Sequence, residues 1–331
     1  MDLTMNADQR AMRDALCDVL RATWPPERLR AATDVPAMDV ASWASLAEVG
    51  VFGLLVAERD GGMGLDMADA AILVEELGYS LAPGPLVSTI LAAELIPAAV
   101  TGKAIVTTVD TRDRTLFADH LAVATDLIAI DDDGLFQYPV TECVAEPVTR
   151  PLDPLTPVSA LTLPTTPGER VGSADDAARW RSHGTILTAA LQVGVAQGAL
   201  DLAVRYAKQR VQFGRAIGSF QAVKHLLAES LVKVDLARAA VLVAALSLAD
   251  DDVSSAKVLA DAAATEGGRC GVQVHGGMGF TWEVLAHLFV KRAWVLATAF
   301  GTADEHAQRL ADAIIQPDTQ LRPGSGPSRT T

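Results

Sequence analysis

The stretch Arg210–Gln221, RVQFGRAIGSFQ, organises the reading of this chain. Arg210 ends one helical pattern, Gly214 and Gly218 turn the chain, and Gln221 opens the next helix. Glycine permits the left-handed or closely approached backbone that such a short turn needs. An arginine at the junction offers a planar fork of donors to a carboxylate or phosphate. A second glycine-rich segment, Gln273–Phe280 (QVHGGMGF), places Gly276, Gly277 and Gly279 directly behind another helical run. Backbone N–H groups there are open to an anion or to another chain. Taken singly, either segment reads as an inter-helix turn; their order and separation inside one helical region carry the information.

Working outward, the periodicity predicts helices over Asp175–Arg210, Gln221–Leu248, Val253–Val274 and Glu283–Ile315, the last interrupted around Gly301. Asp250-Asp251-Asp252 reads as a solvated turn and N-cap, and Gly194 and Gly198 as a site of close helix approach. Four long antiparallel helices imply a bundle. The charge-free run from Ser182 to Leu200 contains Gln192 and Gln197, which reads as a buried helix rather than a membrane span. Residues 1–100 read as a helical domain. Its helices are expected over 4–22 with Thr4 or Asn6 as N-cap, over 41–49, over Met67–Leu77 and over Leu86–Ala99. Residues 101–172 read as a small β-domain of about five strands, at 105–110, 120–126, 127–131, 135–140 and 158–163, with a hairpin turn at Asp131–Gly134. The bundle spans 173–316, and 317–331 has the composition of a disordered tail. The fold class is therefore mainly α with a small β-domain.

Composition narrows the function classes. The formal net charge of the 331-residue chain is −14, which argues against a nucleic-acid partner. An acidic protein that binds an anion must gather its few cations locally. The cysteines Cys17, Cys143 and Cys270 are widely spaced with no CxxC, which excludes a disulfide framework and a zinc site and fits a reducing cytoplasm. The N-terminus is charged and helical, unlike a signal peptide.

RVQFGRAIGSFQAVKHLLAE, QVHGGMGF and VFGLLVAERDGGMGLD followed by VEELG together resemble the acyl-CoA dehydrogenase family over nearly the whole chain. The resemblance implies an FAD-dependent α,β-dehydrogenation of a CoA thioester, with electrons passed to an electron-transfer acceptor. A carboxylate removes the α-proton, and the flavin supplies the redox chemistry. It also implies that Arg210 reaches the pyrophosphate of a partner subunit's FAD. Gln212, Phe213, Ile217, Phe220 and Gln221 would line the same groove, and Gln273, Val274, Gly276 and Gly277 the adenosine–diphosphate side.

The chain departs from that pattern where the catalytic carboxylate belongs. One family position for it, just before a Gly-Thr pair, holds Phe300; the other, early in the first bundle helix, holds Gly184. No E-P-x-A-G-S-D segment occurs between Thr101 and Val171. Short, base-less members of this kind resemble the smaller subunits of heteromeric actinobacterial acyl-CoA dehydrogenases. Those act on bulky thioesters such as steroid side chains. The expectation is a non-catalytic subunit of an α2β2 heterotetramer, gripping the ADP half of FAD, with no catalytic residue of its own. Two other readings stay open. One is a self-sufficient enzyme whose base has moved to His183, Glu142 or Asp304, with Asp304 one helical turn past Phe300 on a similar face. The other is a flavin-free scaffold. Glu146 reads as a solvated carboxylate, like Glu142.

Overall fold

The computed structural model describes residues 5–33 and 38–315; Thr4 and the tail expected over 317–331 lie outside them. The chain opens with α1 (Ala7–Thr23), α2 (Pro26–Arg30), α3 (Val40–Glu48), α4 (Met67–Tyr79), α5 (Leu86–Ala92) and α6 (Pro97–Val100). Strands β1 (Val106–Asp110), β2 (Leu116–Asp119), β3 (Asp126–Ile130), β4 (Leu135–Pro139), β5 (Val144–Pro147), β6 (Val158–Thr162) and β7 (Glu169–Gly172) follow. Then come α7 (Ala174–Gln209), a short hairpin β8 (Val211–Gln212) and β9 (Arg215–Ala216), α8 (Gln221–Ser247), α9 (Asp250–His275), α10 (Ala286–Leu296) and α11 (Ala303–Ile315). The strands form two sheets, β1-β3-β4-β7 and β2-β6-β5; β1 and β3 run parallel and the other pairs antiparallel.

Local chemistry sets the helix starts. Asn6 accepts from the Gln9 N–H while Gln9 Oε1 accepts from the Asn6 N–H, a reciprocal cap for α1. Ser173 with Asp176 does the same for α7, and Thr302 with Glu305 for α11. Every residue of α7 from Gly184 to Ala196 is buried. A helix apolar on all sides belongs at the centre. It passes the length and composition test for a membrane span, yet 83% of its apolar window is buried inside the protein, as expected of a core helix.

The N-terminal helices are locked to the bundle where α4 crosses α7 at backbone contact. A Cβ on Gly194 would lie 1.9 Å from the Glu75 carbonyl oxygen, and one on Gly78 would lie 2.1 Å from that of Leu191. Close approach is thus the role of Gly194, as its spacing from Gly198 suggested. Beside the crossing, Arg238 of α8 forks onto Glu75 at 2.9–3.2 Å and reaches Gln197 of α7 at 2.8 Å. A second lock is polar and buried. Arg292 of α10 donates to Asp153 at 2.6 Å and to the Ala82 carbonyl at 3.0 Å, while Gly84 N–H donates to His120 Nε2 at 3.1 Å.

Several sequence expectations need correction. Residues 120–124 form a turn instead of a strand, because His120 adopts φ 51° and its ring is taken into the core; the strand lies just before, at β2. β5 and β7 were not anticipated. β5 is exposed at all four positions, so it carries no apolar signal. The helix expected over Leu86–Ala99 breaks into α5 and α6, since Pro97 restarts it at a first-turn position. Asp250, Asp251 and Asp252 form the first turn of α9, where carboxylates favour the helix N-terminus, and Ala249 is the N-cap. The fourth bundle helix is interrupted around Gly301 as expected, giving α10 and α11, but starts at Ala286 and not at Glu283. Because the joint unwinds at Phe300, Asp304 does not follow it along one helical face.

Two measurements test these locks. Gly194→Ala is expected to destabilise the chain by about 1–3 kcal/mol in denaturant unfolding, the usual cost of overpacking. The second concerns pH. Burial holds the His120 imidazole down at about 4, against an ordinary 6.5. An accepting ring nitrogen must be unprotonated, so its contribution is full above pH 6.5 and is lost as pH falls through about 4. The loss should approach ~3 kcal/mol. His120→Gln should flatten stability against pH across this window relative to wild type; equal slopes would exclude this role.

Candidate functional site

Arg210 caps the C-terminus of α7 with extended backbone, and its carbonyl accepts from the Ile217 N–H at 2.8 Å. Between these residues the chain makes a hairpin the sequence reading did not anticipate. Gln212 pairs with Arg215, leaving Phe213 (φ 54°) and Gly214 (φ 78°) as the two turn residues. Two left-handed residues suit the twist of a two-residue hairpin. Gly214 enters that conformation without strain, whereas a bulky Phe213 does so rarely. Phe213 is 92% exposed. It meets Phe220 edge-on at 6.1 Å, and the Arg215 guanidinium lies 4.1 Å over the Phe220 ring. Such stacking pre-orients Arg215.

The QVHGGMGF segment arrives at the same end of the bundle. Tyr206 of α7 stacks on His275 at 4.2 Å and its hydroxyl faces Met278 Sδ at 3.8 Å. Beneath them Ala203, Ala207, Cys270 and Val274 form a small buried cluster, against which Ile217, Val223 and Leu227 pack. Arg210, Gln212, Phe213, Gln221, Gln273, Gly276 and Gly277 are exposed, and Ile217 and Phe220 are half-buried. Val274 is buried in that cluster and does not line the surface. Tyr206, His275 and Arg215 were missed by the sequence reading; the absence of acidic residues around them was the available signal. No Asp or Glu occurs from Leu202 to Ala228, while Arg205, Lys208, Arg210, Arg215 and Lys224 do. Among the described residues no carboxylate lies within salt-bridge distance of Arg210 or Arg215. The N-cap of α8, Phe220, provides no side-chain cap, so first-turn N–H groups remain free for an anion.

The two positions expected to carry a catalytic base meet elsewhere. A Cβ on Gly184 would lie 2.2, 2.4 and 2.5 Å from Cε1, Cδ1 and Cζ of Phe300. Phe300 is left-handed (φ 55°) and Gly301 follows it (φ 96°). The Phe300 carbonyl accepts from His306 Nε2 at 3.0 Å, with Thr185 Oγ1 at 3.4 Å. Just before this joint the fully buried Lys257 caps α10, donating to the Leu296 carbonyl at 2.9 Å. An ammonium suits the negative end of a helix; burial nevertheless lowers it to about 8, opposed by Asp261. The other base candidates lie apart from this pair. Glu142, Glu146 and Asp304 are exposed. His183 is half-buried, and burial, reinforced by Arg179, lowers its pKa.

A helical N-terminal part, a strand region and a helical bundle whose glycine turns share one end define a flavoenzyme class, and comparison with known proteins agrees. Residues 6–101 match the acyl-CoA dehydrogenase N-terminal domain and residues 180–315 the acyl-CoA dehydrogenase C-terminal domain. The chain belongs to the acyl-CoA dehydrogenase family, FAD-dependent oxidoreductases acting on CH–CH bonds. It is 35% identical over 325 residues to the acyl-CoA dehydrogenase IpdE2 of Mycolicibacterium smegmatis, covering 94% of this chain and 100% of that protein. The fold is shared with a chain of the ChsE4–ChsE5 complex from Mycobacterium tuberculosis, with TM-score 0.84, 23% identity, and coverage of 96% of this chain and 99% of that one. It is shared as well with a chain of the Tcur3481–Tcur3483 steroid acyl-CoA dehydrogenase, with TM-score 0.82, 25% identity, and coverage of 93% and 98%.

The exposed arginines, the uncapped start of α8 and the open space at Gly276 and Gly277 are chemically suited to the diphosphate half of such a cofactor. Gly277 has ordinary backbone angles and nothing within 4 Å of where a Cβ would be. Nothing within the chain requires glycine there; an approaching ligand would. Gly277→Ala is therefore expected to leave unfolding free energy within about 0.5 kcal/mol of wild type. A larger loss, read by denaturant titration, would mean that the residue serves the fold.

Proposed function

We propose that this protein is the non-catalytic subunit of a heteromeric, FAD-dependent acyl-CoA dehydrogenase that desaturates a bulky CoA thioester of the steroid side-chain class. One observation carries the reading: an exposed, acid-free segment bearing Arg210 and Arg215 coexists with two base positions, Gly184 and Phe300, that hold no proton acceptor and are packed on each other. A homo-oligomer would unite each cofactor groove with a pocket lacking a base. A partner subunit of the same fold, bearing the carboxylate and the flavin-ring pocket, completes both halves. The names of the ChsE4–ChsE5 complex and of the Tcur3481–Tcur3483 steroid enzyme support this reading, since each pairs two different chains.

Bound FAD supplies the hydride acceptor for Cβ of the thioester. The role of this chain is to bind and orient. Arg210 and Arg215 offset the diphosphate charge with planar donor forks. The open first turn of α8 donates N–H groups to the same anion. Gly276 and Gly277 admit the ligand to backbone distance, and Gln212, Gln221 and Gln273 supply amide groups at the rim. The free cysteines fit a reducing cytoplasm, and an electron-transfer acceptor would reoxidise the flavin.

The decisive experiment is flavin absorbance per chain, for this protein alone and co-expressed with its partner. About one FAD per two chains is expected, in the complex only. Arg210→Ala and Gly277→Val should reduce that content at least tenfold without loss of assembly, the scale of one or two charge-assisted contacts. One FAD per isolated chain with dehydrogenation of an acyl-CoA would establish a self-sufficient enzyme, and a colourless complex would establish a scaffold.

A further inference from the structure

We propose that Phe300 is a plug. Its ring, seated on the bare backbone of Gly184, closes this chain's own acyl pocket, so that thioesters enter only the partner's. The proposal rests on the assignment of Gly184 and Phe300 to the two base positions and adds a physical exclusion to the loss of the base. The three ring atoms within 2.5 Å of the Gly184 Cβ position occupy the space that any side chain at 184 would take. That ring and a group approaching over α7 at this point exclude each other.

The joint is built to hold the ring still. Phe300 sits in a left-handed conformation that bulky residues rarely adopt, followed at once by a second left-handed residue, Gly301. Its carbonyl is gripped by His306 Nε2 at 3.0 Å, and His306, 1% exposed, is itself fixed by Ser254 Oγ at 3.2 Å from Nδ1. Upstream, Lys257 ties the end of α10. Downstream, Glu305 accepts from the Thr302 N–H at 2.7 Å and starts α11. With both flanks fixed, the ring is a permanent filler and not a moving gate. Phe300 is half-buried and packs against the core; removing its ring opens an apolar recess over Gly184, and apolar space of this kind takes up apolar ligands.

Octanoyl-CoA serves as the probe and CoA without an acyl group as its control, titrated calorimetrically into the full chain. Wild type and Phe300→Leu are expected to bind octanoyl-CoA no more tightly than CoA. Phe300→Ala should prefer octanoyl-CoA at least tenfold. Phe300→Val keeps the test available should the alanine variant fail to fold. A wild-type preference for octanoyl-CoA overturns the plug, as does an absence of gain in the folded small variants. Packing has its own readout: Gly184→Ala should lower the melting temperature of wild type, and Phe300→Ala should restore it. Failure of that rescue overturns the seating of the ring. FAD content is measured separately, on complexes of the same variants co-purified with the partner. Normal FAD with no acyl gain rejects the plug alone, whereas missing FAD rejects the subunit reading on which it rests.

Discussion

A guanidinium taken out of water must find partners for its donors, and at Arg292 those partners come from two other parts of the chain. Arg292 extends from α10, Asp153 and Leu155 come from the loop before β6, and Ala82 from the turn between α4 and α5. Asp153, with no exposure, also accepts from the Leu155 N–H at 3.0 Å and the Thr156 hydroxyl at 2.9 Å. Removing one member of such a pair strands a buried charge, at a cost of about 3–5 kcal/mol. The pair therefore acts as a register pin. The helical N-terminal part, the strands and the bundle assemble only in the arrangement that satisfies it. His120 packs into the same junction and accepts from Gly84, two residues beyond Ala82.

Backbone strain collects where these parts meet and where the site lies. Among the described residues, the left-handed ones other than glycine are Leu81, His120, Phe213, Leu248 (at the C-cap of α8) and Phe300. Leu81 and His120 flank the three-way junction, Phe213 tips the groove hairpin, and Phe300 covers Gly184. Such conformations persist only when surrounding contacts over-determine them. At Phe300 the contacts are His306 and Thr185. At Phe213 the side chain is 92% exposed and little in the chain compensates, which is how a residue awaiting an external contact looks.

Charge is divided in the same way. Arg13, Arg28, Arg181, Arg238 and Arg292 each sit against a carboxylate. Arg210 and Arg215 stand in a segment cleared of acids. In a chain of net charge −14, this separation leaves a local excess of cations along residues 202–228.

Much of this was legible from local pattern. The apolar stripe of α7, the spacing of Gly194 and Gly198, the Asn6 cap and the two glycine segments each act over a few residues, and the physics that places them is short-ranged. That residues 184 and 300 carry no carboxylate is likewise read from the sequence alone. Exposed β5 and the turn at His120 were not legible, since their conformations are held by partners distant in sequence; the hairpin at Phe213 is local but places a bulky residue in the left-handed region, which no propensity favours. Nor does any local rule bring Phe300 onto Gly184, 116 residues earlier in the numbering, or Arg292 onto Asp153. Helix and turn follow from nearest neighbours. The contact of Phe300 with Gly184 and the buried Arg292–Asp153 pair exist only because tertiary packing brings remote residues within van der Waals and hydrogen-bond reach.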